Sequence, residues 1–235
     1  LARTPHTPAG GESPFNALPP AVVALAALIA GLEAMFQLAG MGLLGGVAPD
    51  GQAWRLAAAR DWGVSDAVWE WMRLNGRWPP ELLARFVTYP LIHGAFTHAA
   101  FVTVFVLAIG NAIGGAFGGW RLFALFWASA AGGALLYVVA LDAQGLLIGG
   151  FPGVYGLIGG FTFLLYVGAA RVGANRLTAF RLIAVLLGIQ LVVGLLFGAN
   201  RDWLADAGGF ATGFALAPVL VPGGFARLLD RLRRR

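Results

Sequence analysis

The sequence predicts an all-α, polytopic membrane protein, and three observations carry that reading. Of 235 residues, 59% are hydrophobic and only 11% charged, at a mean hydropathy of +0.77, whereas soluble domains carry about 25% Asp, Glu, Lys and Arg. The apolar residues fall into six stretches, each long enough to cross a hydrocarbon core that takes roughly 20 helical residues. The polar residues collect between these stretches, most of all in one long insert. A disordered chain, a nucleic-acid-binding domain and an ordinary water-soluble enzyme are excluded on this balance. The pI of 10.7 would suggest nucleic acid in a soluble protein; here it reflects cytoplasmic loops, and no nucleic-acid partner is expected.

Residues 1–19 are Pro- and Gly-rich without helical period and read as a loose cytoplasmic tail. No basic region followed by a short apolar run and a cleavage site precedes the first span, so no signal peptide is expected. The spans run from about Pro20 to Leu44, His93 to Ile113, Trp120 to Leu141, Pro152 to Ala170, Leu177 to Phe197 and Trp203 to Val221. Together they form one transmembrane domain over 20–221, followed by a basic tail at 222–235. The insert at 47–92 holds Trp54, Trp62, Trp69, Trp71 and Trp78 among Arg55, Arg60, Arg73, Arg77 and Arg85. Such aromatics favour the membrane–water interface. Within it, Ser65 to Leu74 suits a short amphipathic helix with Ser65 as N-cap.

Six spans place both termini on one side. That side carries Arg3, Arg121, Arg171, Arg176, Arg181 and the five arginines from Arg227 onward, against Glu12 and Asp230. The opposite side is slightly acidic. Positive residues favour the cytoplasm, so both termini are expected there, with the Trp-rich insert outside. The terminal arginines are also suited to acidic lipid headgroups. All 16 basic residues are Arg and there is no Cys, which removes disulfides, thiolate metal sites and cysteine nucleophiles.

Three segments, in order and on the right spans, resemble the rhomboid intramembrane serine proteases. RFVTYPLIHGAFTH (Arg85 to His98) is similar to the family's approach to its second helix, with Arg85, His93 and His98 in matching positions, and Gly110 and Gly118 follow where glycine is usual. IGGFPGVYGLIGG (Ile148 to Gly160) aligns with G-x-S-G-x-x-[YF]-G-L-x-G, and ADAGGFATG (Ala205 to Gly213) with A-H-x-G-G-x-x-x-G. The resemblance implies a six-helix rhomboid-like bundle with a long amphipathic first loop. It also implies a Ser–His dyad, a hydroxyl nucleophile with an imidazole base, and oxyanion donors nearby. Those roles do not transfer. The register set by Tyr155, Gly156, Leu157 and Gly159 puts Phe151 at the nucleophile and Pro152 at the next glycine. The base position is Asp206, and the donor four residues after His98, usually Asn, is Val102. Only His98 is retained. The chain has three serines, Ser13, Ser65 and Ser129, none placed to substitute, and Pro152 lacks the N–H that active members use.

The same residues admit other chemistry. Asp206 could serve a paired-carboxylate protease, but Glu33 on the first span is the other membrane acid. An Asp206 bound to water, Tyr155 or His98 is the plainer expectation. Glu33 is expected to turn inward to a polar partner such as Gln190, to dock another protein's helix, or to relay protons. The spacing of His93 and His98 puts them on different helix faces with no third ligand, so neither metal nor cofactor is expected. Gly208, Gly209 and Gly213 with Gly153, Gly156, Gly159 and Gly160 form small-residue faces that let the fourth and sixth spans approach closely.

The expectation is a rhomboid-like pseudoprotease of the bacterial cytoplasmic membrane. It would bind lipids and the transmembrane helices of partner proteins, as an adaptor or as an accessory subunit of a membrane complex such as an energy-transducing one. The aliphatic fifth span offers the binding face. An active hydrolase using Asp206 by a non-family mechanism is the alternative, and a channel or bilayer-perturbing protein a third.

Overall fold

The computed structural model describes residues 18–43, 51–140, 145–197 and 202–233. Most of the N-terminal tail, with His6 and Ser13, lies outside them, as does the start of the insert. The described chain is a helical bundle. Helix α1 spans Pro20–Gly40; α2 Gly51–Trp62, α3 Asp66–Asn75 and α4 Pro80–Thr88 make up the insert. Then follow α5 (Phe96–Phe117), α6 (Gly119–Ala140), α7 (Phe151–Arg171), α8 (Arg181–Phe197), α9 (Trp203–Leu220) and α10 (Gly224–Arg233). Six helical stretches are long and apolar enough to cross a membrane: α1, α5, α6, α7, the run from Arg176 through α8, and α9.

The spans start and stop where local chemistry dictates. Pro20 and Pro152 open α1 and α7 in the first turn, where a missing N–H costs nothing. Gly118, at φ +76°, breaks α5 from α6 with no linker to spare. The predicted amphipathic helix is α3: the Ser65 side chain accepts from the Val68 N–H at 3.3 Å, and Gly76, left-handed at φ 60°, closes it. The insert also forms α2 and α4 where the sequence suggests a structured loop. Residues 64–65 pair antiparallel with 146–147, Val64 opposite Leu147, tying the insert to the segment before α7. The basic C-terminal segment forms α10.

Helix α7 is the centre, packed by α9, α6 and α5. The core joins Val22, Leu25 and Ile29 of α1 to Val102, Val106 and Ile113 of α5, Leu125 and Phe126 of α6, and Val154, Leu157 and Ile158 of α7. On α1 the buried residues Val22, Leu25, Ile29, Glu33 and Phe36 repeat every three or four positions, one helical stripe turned inward. Close approach is set by glycine. A Cβ on Gly209 would meet the Pro152 backbone, one on Gly213 the Gly156 backbone, and one on Gly159 the backbone of Phe210 and Phe214. The expected α7–α9 seam is therefore present. Gly153, Gly160 and Gly208 are not on it: Gly153 and Gly160 abut Phe126 and Leu125, and Gly208 abuts Leu136 and Gly133. These three seat α6 instead, because a central helix must present small residues on more than one side.

Helix α8 is peripheral. Only 11% of its span is buried, against 50% for α6 and for α7. Its start is held by the 3-10 turn at Arg176–Phe180, which packs on α7.

Candidate functional site

The three segments picked out by sequence converge at one end of the bundle. After α4 the chain makes a 3-10 turn over Tyr89–Leu91, then runs extended through Ile92 to Ala95, the N-cap of α5. This carries His93 inward, 1% exposed, while His98 sits half-buried in the first turn of α5. The rings meet edge to face with centroids 5.0 Å apart, so the expectation of separate helix faces does not hold: His93 precedes the helix, and helical spacing does not apply to it. Among the described residues no group of three or more His, Asp or Glu side chains gathers for a metal.

The loop before α7 folds onto this pair. Gly149, at φ 100°, donates its N–H to the Tyr89 carbonyl at 3.0 Å, and a Cβ there would strike the His98 ring. The Gly150 N–H donates to Nε2 of His93 at 3.3 Å. A Cβ on Gly150 would lie 2.7 Å from Cγ1 of the fully buried Val102 of α5, so this position has room only for glycine. Phe151 then lays its ring over His98, centroids 5.2 Å apart and 17° between planes, with Phe105 against its edge. His98 is thus sandwiched between His93 and Phe151, and Pro152 is pressed against Gly209.

Burial, then the neighbouring His98, hold the His93 imidazole down at a pKa of about 4. It is neutral at pH 7, with Nε2 accepting from Gly150 and a backbone hydrogen bond to Leu91. An unfolded histidine titrates near 6.5. Between pH 6.5 and 4 the unfolded chain therefore binds the extra proton, and stability falls as pH falls through that window. The expected loss is about 3 kcal/mol, read as a falling Tm in detergent. His93→Gln should flatten that part of the profile. Burial likewise pushes the Tyr89 hydroxyl well above its ordinary range, and it donates to the Ala130 carbonyl at 2.7 Å.

Asp206 lies in the first turn of α9, 4% exposed. Its partner is Gln190 of α8, which donates from Nε2 to Oδ2 at 2.7 Å. The expected contact with Tyr155 or His98 is not made: among the described residues no hydrogen bond joins Asp206 to either. Gln190 is taken by Asp206, so it is not the partner of Glu33. That partner is Arg55 of α2, whose Nη1 and Nη2 donate to Oε2 and Oε1 at 2.7 and 2.8 Å, while Gln37 donates to Oε1 at 2.7 Å. Arg55 Nη1 also donates to the His93 carbonyl at 2.6 Å, and its guanidinium lies over Phe36. Arg55 is the site residue that sequence reasoning passed over. The available signal was charge balance, since a lone acid in an apolar span calls for a cation from the Arg-rich insert. Arg85 reaches the carbonyls of Arg60 and Gly63 at 2.9 and 3.3 Å, capping α2.

Among the described residues no serine stands beside Phe151 in place of its side chain. Ser65 is a helix cap, and Ser129 is fully buried on α6 against Gly156, its Oγ without a partner among the described residues.

A six-span helical membrane protein with a glycine-seated α7–α9 pair, and a histidine site at the head of α7, is the class that fold and site define. The model of the Rhomboid domain matches residues 80–223, and the chain belongs to the rhomboid family. RHOMBOID-like protein 4 from Arabidopsis thaliana is 28% identical over 137 residues, which are 58% of this chain and 34% of that relative. The chain thus spans about a third of that relative's length.

Proposed function

We propose that this rhomboid is a pseudoprotease, which acts by binding transmembrane helices of partner proteins at the cytoplasmic membrane of a bacterium. The observation that carries the reading is the Phe151 ring stacked on His98, where the family pattern has its nucleophile. A phenyl ring supplies no nucleophile and fills the space a scissile carbonyl would need. The nearby Gly149 and Gly150 N–H groups are already engaged by Tyr89 and His93, which leaves them poorly suited to an oxyanion. The Asp206 carboxylate hydrogen-bonds Gln190 rather than a second carboxylate, and that weighs against the paired-acid alternative.

The binding face is α8. Ile189, Val192, Val193 and Leu196 are exposed along it, and its link to α9 at mid-length includes the Gln190–Asp206 hydrogen bond. The Oε1 of Gln190 is buried without a partner among the described residues. A stable accessory subunit, in an energy-transducing complex for example, and a transient adaptor use the same face. Purification in mild detergent followed by mass spectrometry separates the two: one stoichiometric membrane protein supports the subunit, a scatter of clients the adaptor. Recovery of the chain alone, with no membrane protein cross-linking to probes on α8, would overturn the binding reading.

Asp206→Ala is expected to free Gln190 and loosen α8. Amide exchange in the middle of α8 should rise about tenfold, the ~1.4 kcal/mol equivalent of one hydrogen bond. Exchange in α7 should be unchanged.

A further inference from the structure

A polar cavity of about 550 Å³ lies outside the histidine site, between the insert and the end of a span. Asp66, Trp69, Glu70 and Arg73 of α3 line one wall, and Val138 to Ala140 of α6 the other. We propose that it binds a zwitterionic amino-phosphate headgroup of the phosphoethanolamine type, presented by a membrane phospholipid.

Charge spacing is the first argument. Glu70 and Arg73 are three residues apart on one helix, which makes them neighbours at roughly 5–6 Å between Cβ atoms. Both are exposed, and no salt bridge joins them in the described structure. An anion and a cation held side by side across one turn match a ligand whose ammonium and phosphate are separated by two carbons. The Arg73 guanidinium is suited to the phosphate as a planar donor fork. Glu70 takes the ammonium. Trp69 adds an aromatic wall that favours a cation, and the edges of Trp78 and Phe86, at centroid distances of 5.5 and 6.1 Å, fix that ring.

Depth is the second. The cavity opens against the last residues of a span that ends at Ala140, the level where lipid headgroups lie. The exposed Trp71 and Trp78 belong to the same segment, as expected of an interfacial surface. Leading away from the cavity along α6, Leu135 and Val139 are exposed at 46% and 61%. They lie four residues apart on one face, a track for an acyl chain. A free metabolite would have no use for that track, whereas a phospholipid fills both parts.

The test is native mass spectrometry of the full chain released from detergent after equilibration with phosphatidylethanolamine, phosphatidylglycerol or soluble phosphoethanolamine. The ethanolamine lipid should be retained about tenfold better than the glycerol lipid, the difference one ammonium–carboxylate hydrogen bond makes. Glu70→Gln should remove that preference, and Arg73→Gln should weaken both lipids. Both side chains are exposed, so neither variant threatens folding. Retention of soluble phosphoethanolamine as strongly as the lipid would keep the headgroup site but overturn the lipid source. Equal retention of both lipids, or a preference untouched by Glu70→Gln and Arg73→Gln, would overturn the site.

Discussion

Arg55→Ala is expected to cost about 3–5 kcal/mol of stability, the penalty for leaving one member of a buried ion pair uncompensated. Glu33 is 4% exposed, and in the wild type it receives both nitrogens of the guanidinium fork and the Gln37 amide. Without Arg55 the carboxyl must protonate or draw water into the seam between α1 and α2. In detergent the Tm should fall by roughly 10 °C for a chain of this length. The double variant Glu33→Leu/Arg55→Leu should recover most of the loss, since exchanging a whole buried pair for apolar side chains is often neutral. A single Arg55→Ala as stable as wild type would show that the pair contributes nothing. Because Arg55 also holds the His93 carbonyl, Arg55→Ala should further expose the Gly150 amide to exchange.

The second large effect is on the α7–α9 seam. A Cβ at position 213 would lie 2.6 Å from the Gly156 Cα and nearer still to its carbonyl oxygen; one at 209 would lie 2.8 Å from the Pro152 carbonyl carbon. The opposing atoms are backbone, so no rotamer change relieves the clash. Gly209→Ala and Gly213→Ala should each cost about 3 kcal/mol or more, the upper range for overpacking. Gly188→Ala on α8 is the control, since nothing lies within 4 Å of its added methyl. It should be neutral or gain up to about 1 kcal/mol from helix propensity. Comparable losses in all three variants would mean that the seam is not what the glycines serve.

The spans were legible because apolar length is a local property: all six appear, with ends shifted by a few residues where a Pro, a glycine or an extended approach intervenes. Ser65 was readable as a cap for the same reason. Partnerships across the fold were not. Nothing in the spacing of Glu33 and Arg55, 22 residues apart, says that α2 folds back along α1, and Gln190 is only one of the inward polar partners that the sequence offers Glu33. Gln190 goes to Asp206, because α8 and α9 are neighbours joined by a short connection and α8 bears no other polar side chain past Arg181. The positions of Phe151, Pro152, Asp206 and Val102 came from aligning motifs. The motifs do not show that Phe151 covers His98, because that contact depends on the positive-φ glycine at 149, which turns the chain just before it.

The central claim is that this rhomboid binds but does not cut. The most direct measurement exposes the purified, folded chain to a serine-directed fluorophosphonate and to a transmembrane substrate, followed by intact-mass analysis. The chain should remain unlabelled and the substrate uncleaved, with and without Asp206→Ala. Labelling at any serine, or cleavage of the substrate by either form of the chain, would contradict that claim.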